Sequence, residues 1–435
     1  MQKLYGKVMT KIGLDSLKPG DVLKADVTAR DGRFLMPKGA QLSQNHIRYL
    51  SGFGVSVVEI EEDARKPAEI AARAADPEVL ALSDGYCRER FALVDRSHPA
   101  AAALFELSVE RLARRIADKG DGFLSKPPIE EQIRQMPGGL RENTGTPEEM
   151  LSRDVKLVSL PEVFLRINQA LHDPASTTGQ IADLIGKDPS LSAILLKIVN
   201  SAFYSRALRA AKHQFPAKVD SLSRAVALVG SSQLGVLALG VSVLSRFNDI
   251  PPGLIDVKSF WRHSIFCGIL ARVLAEKKQE PEGEHFFVAG LLHDIGRLIF
   301  YRYYPVLSGE SLVAAKVRKI SLTEAEREIM GFDHAVIGGL LLKKWNYPSS
   351  LGKSVRFHHE PGEVLIIDEP AVVHVADCVT VALDMGSSGE GLVPPLHPEA
   401  WDNVGVEPAE LGPMAQSAMD QCDEIFTAFF PDEAA

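Results

Sequence analysis

The stretch VAGLLHDIGRLI, Val288 to Ile299, sets a His-Asp pair inside an otherwise apolar run. Helical spacing on either side reads as one helix over Glu284–Leu292 and another over Ile295–Tyr301, with His293 and Asp294 at their junction. A bare imidazole and carboxylate are costly to bury, so the pair needs partners. A metal ion is one partner that satisfies both groups at once.

The helical pattern continues outward from this stretch. Upstream, helices are predicted over Pro161–His172, over Gln180–Gly186 with Thr177 or Thr178 as cap, and from Pro189 to about Asn200. Ser221–Val229, Ser232–Phe247 and Trp261–Glu276 follow. Downstream come Ser308–Lys319, Ser321–Met330, His334–Trp345, Ser349–Phe357, Ala371–Leu383 and a last helix near Met414–Phe429. Strand signals are nearly absent after residue 157. The segment Ala225–Ser245 carries no charge over 21 positions, long enough to span a bilayer. Two buried helices joined near Gly230 explain it equally well, and the amphipathic flanks favour that reading, so no membrane span is expected.

The chain before residue 155 has a different character. Residues 1–62 read as a small α+β domain: a loose strand over Asp21–Thr28, a turn at Asp31-Gly32, and a second strand over Arg33–Met36. A helix over Gln44–Ser51 capped by Ser43 and a strand over Val55–Ile60 complete it. Its His46 reads as a plain surface histidine. Residues 63–118 form a helical connector, with helices over Arg65–Ala75 and Ala101–Ala117. Residues 119–154, rich in Pro and Gly, read as a flexible linker with one short helix at Ile129–Gln135. Residues 155–435 are then an all-α domain, and the fold class is mainly α.

Composition narrows the functional classes. A net charge of −9 over 435 residues argues against direct binding of a nucleic-acid duplex. The four cysteines lie far apart and form no CxxC, which argues against a disulfide framework or a thiolate zinc site and points to free thiols in a reducing cytoplasm. The basic N-terminus lacks the long apolar core of a signal peptide.

Seven of the twelve histidines fall between residues 263 and 374. Taken singly, each reads as a hydrogen-bonded core or surface residue. Taken together, His263, His293, Asp294, His334, His358, His359 and Asp377 read as one candidate metal site. His374 lies one turn before Asp377 and is placed to support it, whereas His285 reads as surface. Imidazole and carboxylate donors suit one or two transition-metal ions, Fe, Mn, Zn or Ni.

The order His…His-Asp…His…His-His…Asp resembles the HD superfamily of metal-dependent phosphohydrolases, in particular its HD-GYP branch. The resemblance implies that these seven residues are ligands, with Asp294 bridging. The segments LPEVFLRINQALHDPASTTGQIADLIGKDPSLSAILLKIVNSAFYS, FVAGLLHDIGRLIF and GFDHAVIGGLLLKKWNYPSSLGKSVRFHHEP resemble an HDOD domain over roughly residues 155–380. That family implies a bacterial signalling output that acts through partner binding, most members lacking a complete catalytic set. The N-terminal domain is similar to small modules that precede HD-GYP and related domains, which implies a regulatory or dimerising role and leaves a homodimer open. Three departures from HD-GYP stand out. HHEPGEV has no GYP, Arg297 stands where the HDxGK pattern has Lys, and Ser259 stands where trinuclear sites carry Glu. The expected function is therefore a signal-transduction protein with a metal-binding HDOD output. The alternative is a metal-dependent phosphohydrolase acting on a nucleotide or cyclic dinucleotide, with Asp294 and Arg297 as its catalytic pair.

Overall fold

The computed structural model describes residues 11–14, 17, 21–29, 33–60, 66–124, 145–154, 162–173, 175–201, 219–244, 247, 250–251, 253–278, 280, 283–365 and 368–430. The chain divides into two compact units, Met1–Asp84 with Glu110–Ser125, and Gly85–Val109 with Lys126–Ala435. It is mainly α, with a small α+β region near the N-terminus.

In the first unit, strand Lys11–Gly13 pairs antiparallel with Val57–Glu59, and Val27–Thr28 pairs antiparallel with Phe34–Met36. The expected strand over Asp21–Thr28 narrows to its last two residues, with isolated bridges at Val22 and Leu23. There the backbone bends, and Asp26 Oδ1 accepts the Lys38 N–H at 2.7 Å. The strand at Lys11 was not anticipated, because its three residues carry no alternation. Leu23, Leu42, Leu50, Val58 and Ile60 form the core of this unit. Ser43 caps helix Gln44–Gly52, and exposed His46 completes the capping box by accepting the Ser43 N–H at 3.2 Å. His46 is therefore a local structural group. The turn expected at Asp31-Gly32 and the helix expected at Ile129–Gln135 lie outside the described residues.

Helices Lys66–Ala74 and Pro99–Lys119 match the expected connector helices within two residues. Pro77–Arg90, Pro147–Asp154 and Pro398–Val404 are further helices that the sequence reading did not place. Pro77–Arg90 has no single apolar stripe, and the other two are only two turns long. All three open with proline at the first turn, where its missing N–H costs nothing.

The second unit is built around helix Val257–Lys277, which is buried along nearly its whole length. Gly283–Leu292, Asp368–Ala382 and Leu411–Phe429 pack on it. Ser349–Phe357 joins this layer to His334–Lys344, which packs in turn on Ile295–Tyr303. The cap expected at Thr177 or Thr178 falls on Thr177, and Asp188 and Ser221 likewise each accept a backbone N–H three residues on. Around Gly230, helices Leu222–Val229 and Ser231–Leu244 meet at a bend of 116°. Gly230 takes φ 93°, a conformation that side-chain-bearing residues rarely adopt. Among the described residues no single helix is long and apolar enough to cross a membrane.

Candidate metal centre

Glycines bring the candidate residues within reach of one another. At the crossing of helices Val257–Lys277 and Gly283–Leu292, a Cβ on Gly290 would lie 2.7 Å from the Gly268 Cα. That close approach sets His263 opposite His293. A Cβ on Gly296 would lie 2.0 Å from the His334 carbonyl oxygen. Gly296, the second glycine of the opening stretch, thus lets helix Ile295–Tyr303 seat against the start of helix His334–Lys344, with Asp294 facing His334.

All seven candidate side chains meet in one cluster. His263 Nε2 lies 3.2 Å from His293 Nε2, 3.5 Å from Asp294 Oδ2 and 3.3 Å from Asp377 Oδ1. His293 Nε2 lies 3.2 Å from Asp294 Oδ2 and 3.4 Å from Asp377 Oδ1. His263, His293 and Asp294 form one donor group, and Asp377, within 3.4 Å of both histidines, completes the first set while also grouping with His293 and His358. In a second set, Asp294 Oδ1 is 2.9 Å from His334 Nε2 and 3.9 Å from His358 Nε2, and His359 Nε2 is 3.0 Å from His334 Nε2. Asp294 gives one oxygen to each set, which is the disposition of a bridging carboxylate.

The outward ring nitrogens fix the histidine tautomers. Nδ1 of His293 donates to the Gly290 carbonyl at 2.6 Å, and Nδ1 of His358 to the Val355 carbonyl at 2.7 Å. Nδ1 of His334 lies 2.6 Å from Glu326 Oε2. With a proton held outward on Nδ1, each ring presents Nε2 inward as the nitrogen that a metal would take, as in metal-bound histidines. Asp294 Oδ1 and His358 Nε2 are buried without a hydrogen-bond partner, although such atoms are normally satisfied. An inward array of ring nitrogens and carboxylate oxygens with two orphaned atoms fits a bound cation.

Electrostatics agree. Burial opposes charge on His293, yet Asp294 beside it lifts the imidazole well above the usual histidine range. Burial and Arg297 press on His334, but Glu326 and Asp294 carry it up to about 9. Burial pushes His358 down to about 3 and His359 well below its usual value. Asp294 is held ionised against its burial by Arg297, His293 and His334, and Asp377 by its histidine hydrogen bonds. The cluster binds positive charge and spreads it over a few sites.

Arg297 is 1% exposed, with an acceptor near each nitrogen. Nη1 donates to Asp294 Oδ2 at 3.2 Å and Ser388 Oγ at 2.7 Å, and Nη2 to Glu390 Oε2 at 3.4 Å. Nε lies 3.6 Å from Glu326 Oε1. The guanidinium is sealed from solvent and braces the bridging carboxylate. Glu326, Ser388 and Glu390 were missed in the sequence. Glu326 carried a signal, since it lies on the buried stripe Leu322, Glu326, Met330. Ser388 and Glu390 sit in a loop with no motif.

His374 supports the site through the backbone, donating from Nδ1 to the His358 carbonyl at 2.7 Å. His285, expected at the surface, is buried, because its whole helix is enclosed, and its Nε2 meets Ser350 Oγ at 3.2 Å. The cysteines are all free and buried. Ser259 lies in the first turn of helix Val257–Lys277, where its N–H donates to Oδ1 of the capping residue Asp256 at 2.6 Å. Of the seven candidates only His359 is not fully buried, and it lines a cleft of about 380 Å³ with Arg327, Glu360, His374 and His397. His359 is the member of the second donor set that lines this cleft.

Residues 157–361 match the HDOD domain family, and the chain carries an HDOD domain there. An uncharacterized protein of Treponema pallidum (strain Nichols) is 27% identical over 269 residues, 59% of this chain. The match spans 47% of that protein, about half its length. Among solved structures, an HDOD domain protein with unknown function from Geobacter sulfurreducens is 24% identical with a TM-score of 0.52. The alignment covers 66% of this chain and 96% of that one. A "Putative phosphohydrolase" from Shewanella amazonensis SB2B is 22% identical with a TM-score of 0.51, over 64% of this chain and 97% of that one. These likenesses establish the fold.

Proposed function

We propose that residues 155–435 form a signalling output domain built on a two-ion HD-type centre. The observation that carries this reading is the pair of donor sets that share Asp294, with two of their buried atoms left without partners. His263, His293, Asp294 and Asp377 hold one ion, and Asp294, His334, His358 and His359 hold the other. The donor chemistry selects Fe, Mn, Zn or Ni. Arg297 is a positioning residue that keeps Asp294 ionised and oriented. The domain acts through a protein partner, with residues 1–62 as its regulator or dimerising module, 63–118 as connector and 119–154 as linker.

A second reading, hydrolysis of a phosphoester, is favoured by one observation: the second donor set meets the cleft through His359. When bound, such ions lower the pKa of a coordinated water and neutralise phosphate charge. The name of the Shewanella neighbour points the same way. A nucleotide or cyclic dinucleotide is the substrate class for this reading.

Metal analysis of protein purified without chelator, and again after offering Mn or Fe, tests the first claim. One to two equivalents are expected, and none in either sample would remove the basis of the reading. Phosphodiesterase assays on cyclic dinucleotides and generic phosphoesters, with Asp294→Ala as control, test the second. Turnover that persists in Asp294→Ala does not come from this centre.

A further inference from the structure

Glu326 stands outside both donor sets, yet it touches the second one at its most exacting point. It is 2% exposed, on the buried stripe of helix Leu322–Met330. Its Oε2 lies 2.6 Å from His334 Nδ1 and also accepts the His334 backbone N–H at 3.0 Å. Its Oε1 lies 3.6 Å from Arg297 Nε. One oxygen therefore grips both the ring and the backbone of His334, and the other faces a fixed cation. The 3.3 Å approach of Arg297 Nε to His334 Nδ1 cannot be a hydrogen bond while that nitrogen carries its proton to Glu326.

His293 of the first set is held differently. His293 is oriented by the Gly290 carbonyl, and within the second set His358 is oriented by the Val355 carbonyl. A carboxylate differs from a carbonyl in raising the basicity of the ring it holds. We infer that Glu326 is a positioning residue for the second donor set: it fixes His334 with Nε2 free and makes that nitrogen the more basic donor. Occupancy of the second set then depends on Glu326, whereas occupancy of the first does not. This inference rests on the two-ion reading above.

Glu326→Gln is close in shape but wrong in charge. With its oxygen toward His334, its NH₂ faces Arg297; reversed, it faces the His334 Nδ1–H. The experiment titrates Co(II), followed by its visible absorption, into metal-free wild type, Glu326→Gln and Glu326→Asp. Wild type should show two binding steps. Glu326→Gln should keep the tight step and weaken the other by roughly 10–100-fold, the usual effect of losing such a support. Glu326→Asp should fall between them. Two unchanged steps in Glu326→Gln would overturn the inference and leave the two-ion reading intact, whereas no step in wild type would overturn both. Should the variants fail to fold, ¹⁵N-histidine NMR of the metal-loaded wild type decides: a His334 proton on Nδ1 is expected, and one on Nε2 refutes the role.

Discussion

Gly296→Ala is the sharpest perturbation of the centre that leaves every candidate ligand in place. The added Cβ would lie 2.0 Å from the His334 carbonyl oxygen, 2.8 Å from its carbon and 3.0 Å from the Gly338 nitrogen. All three obstacles are backbone, so no side chain can rotate away. Real Cβ contacts essentially never fall below 3.0 Å, so the two helices must part by about 1 Å. Overpacking a core costs about 1–3 kcal/mol, and a backbone obstacle belongs at the upper end of that range. For a domain of this size each kcal/mol lowers Tm by about 2–4 °C, so a fall of several degrees is expected. The same displacement acts directly on the 2.9 Å approach of Asp294 to His334. Ligand distances in a metal site tolerate only about 0.2 Å of error, so the second donor set should lose its ion while the first keeps most of its affinity. Thermal melting of the metal-free protein and Co(II) titration read the two effects separately. Wild-type Tm together with two unaltered binding steps would refute the argument that this glycine sets the helix approach.

Other perturbations have equally definite outcomes. Arg297→Leu leaves Asp294, Glu326 and Glu390 buried without their shared cation, and denaturant melts should show a loss of about 3–5 kcal/mol. An unchanged midpoint would mean that the carboxylates have other partners. Gly386→Ala places a Cβ 2.3 Å from the Ser259 carbonyl and 2.6 Å from the His263 nitrogen, at a φ of 82°. It should lower both Tm and the affinity of the first donor set. The pH dependence has two opposed signs. In the metal-free protein the His334 pKa is about 9 against an ordinary 6.5, so its stabilisation is complete below pH 6.5 and is lost as pH rises through 9. Metal must displace that proton, so metal affinity should rise over the same interval, as titrations at successive pH values would show. A flat affinity would mean that His334 Nε2 is not a donor.

The sequence exposed the candidate cluster because its members lie in short motifs whose polar residues interrupt apolar runs. Helix positions in the second unit were legible from their apolar stripes, from the cap at Thr177 or Thr178 and from Pro189 at a helix start. What stayed hidden was set by tertiary contact. Glu326 looks like one more charged residue in LTEAEREIM until helix Leu322–Met330 is seen to bury that face. Ser388 and Glu390 matter only because their loop crosses Arg297. His285 resembled a surface residue, since nothing in its neighbourhood shows that the entire helix is enclosed. Arg297 was legible as a basic residue beside the His-Asp pair. Its engagement by Asp294, Glu326 and Glu390 depends on residues up to 93 positions away.

The central claim is that two ions flank Asp294. A crystal of the protein loaded with Mn, with anomalous scattering recorded, tests it most directly. Two peaks are predicted, one among His263, His293, Asp294 and Asp377, the other among Asp294, His334, His358 and His359. A map with no peak beside Asp294, from protein shown to be folded and offered excess Mn, would contradict it.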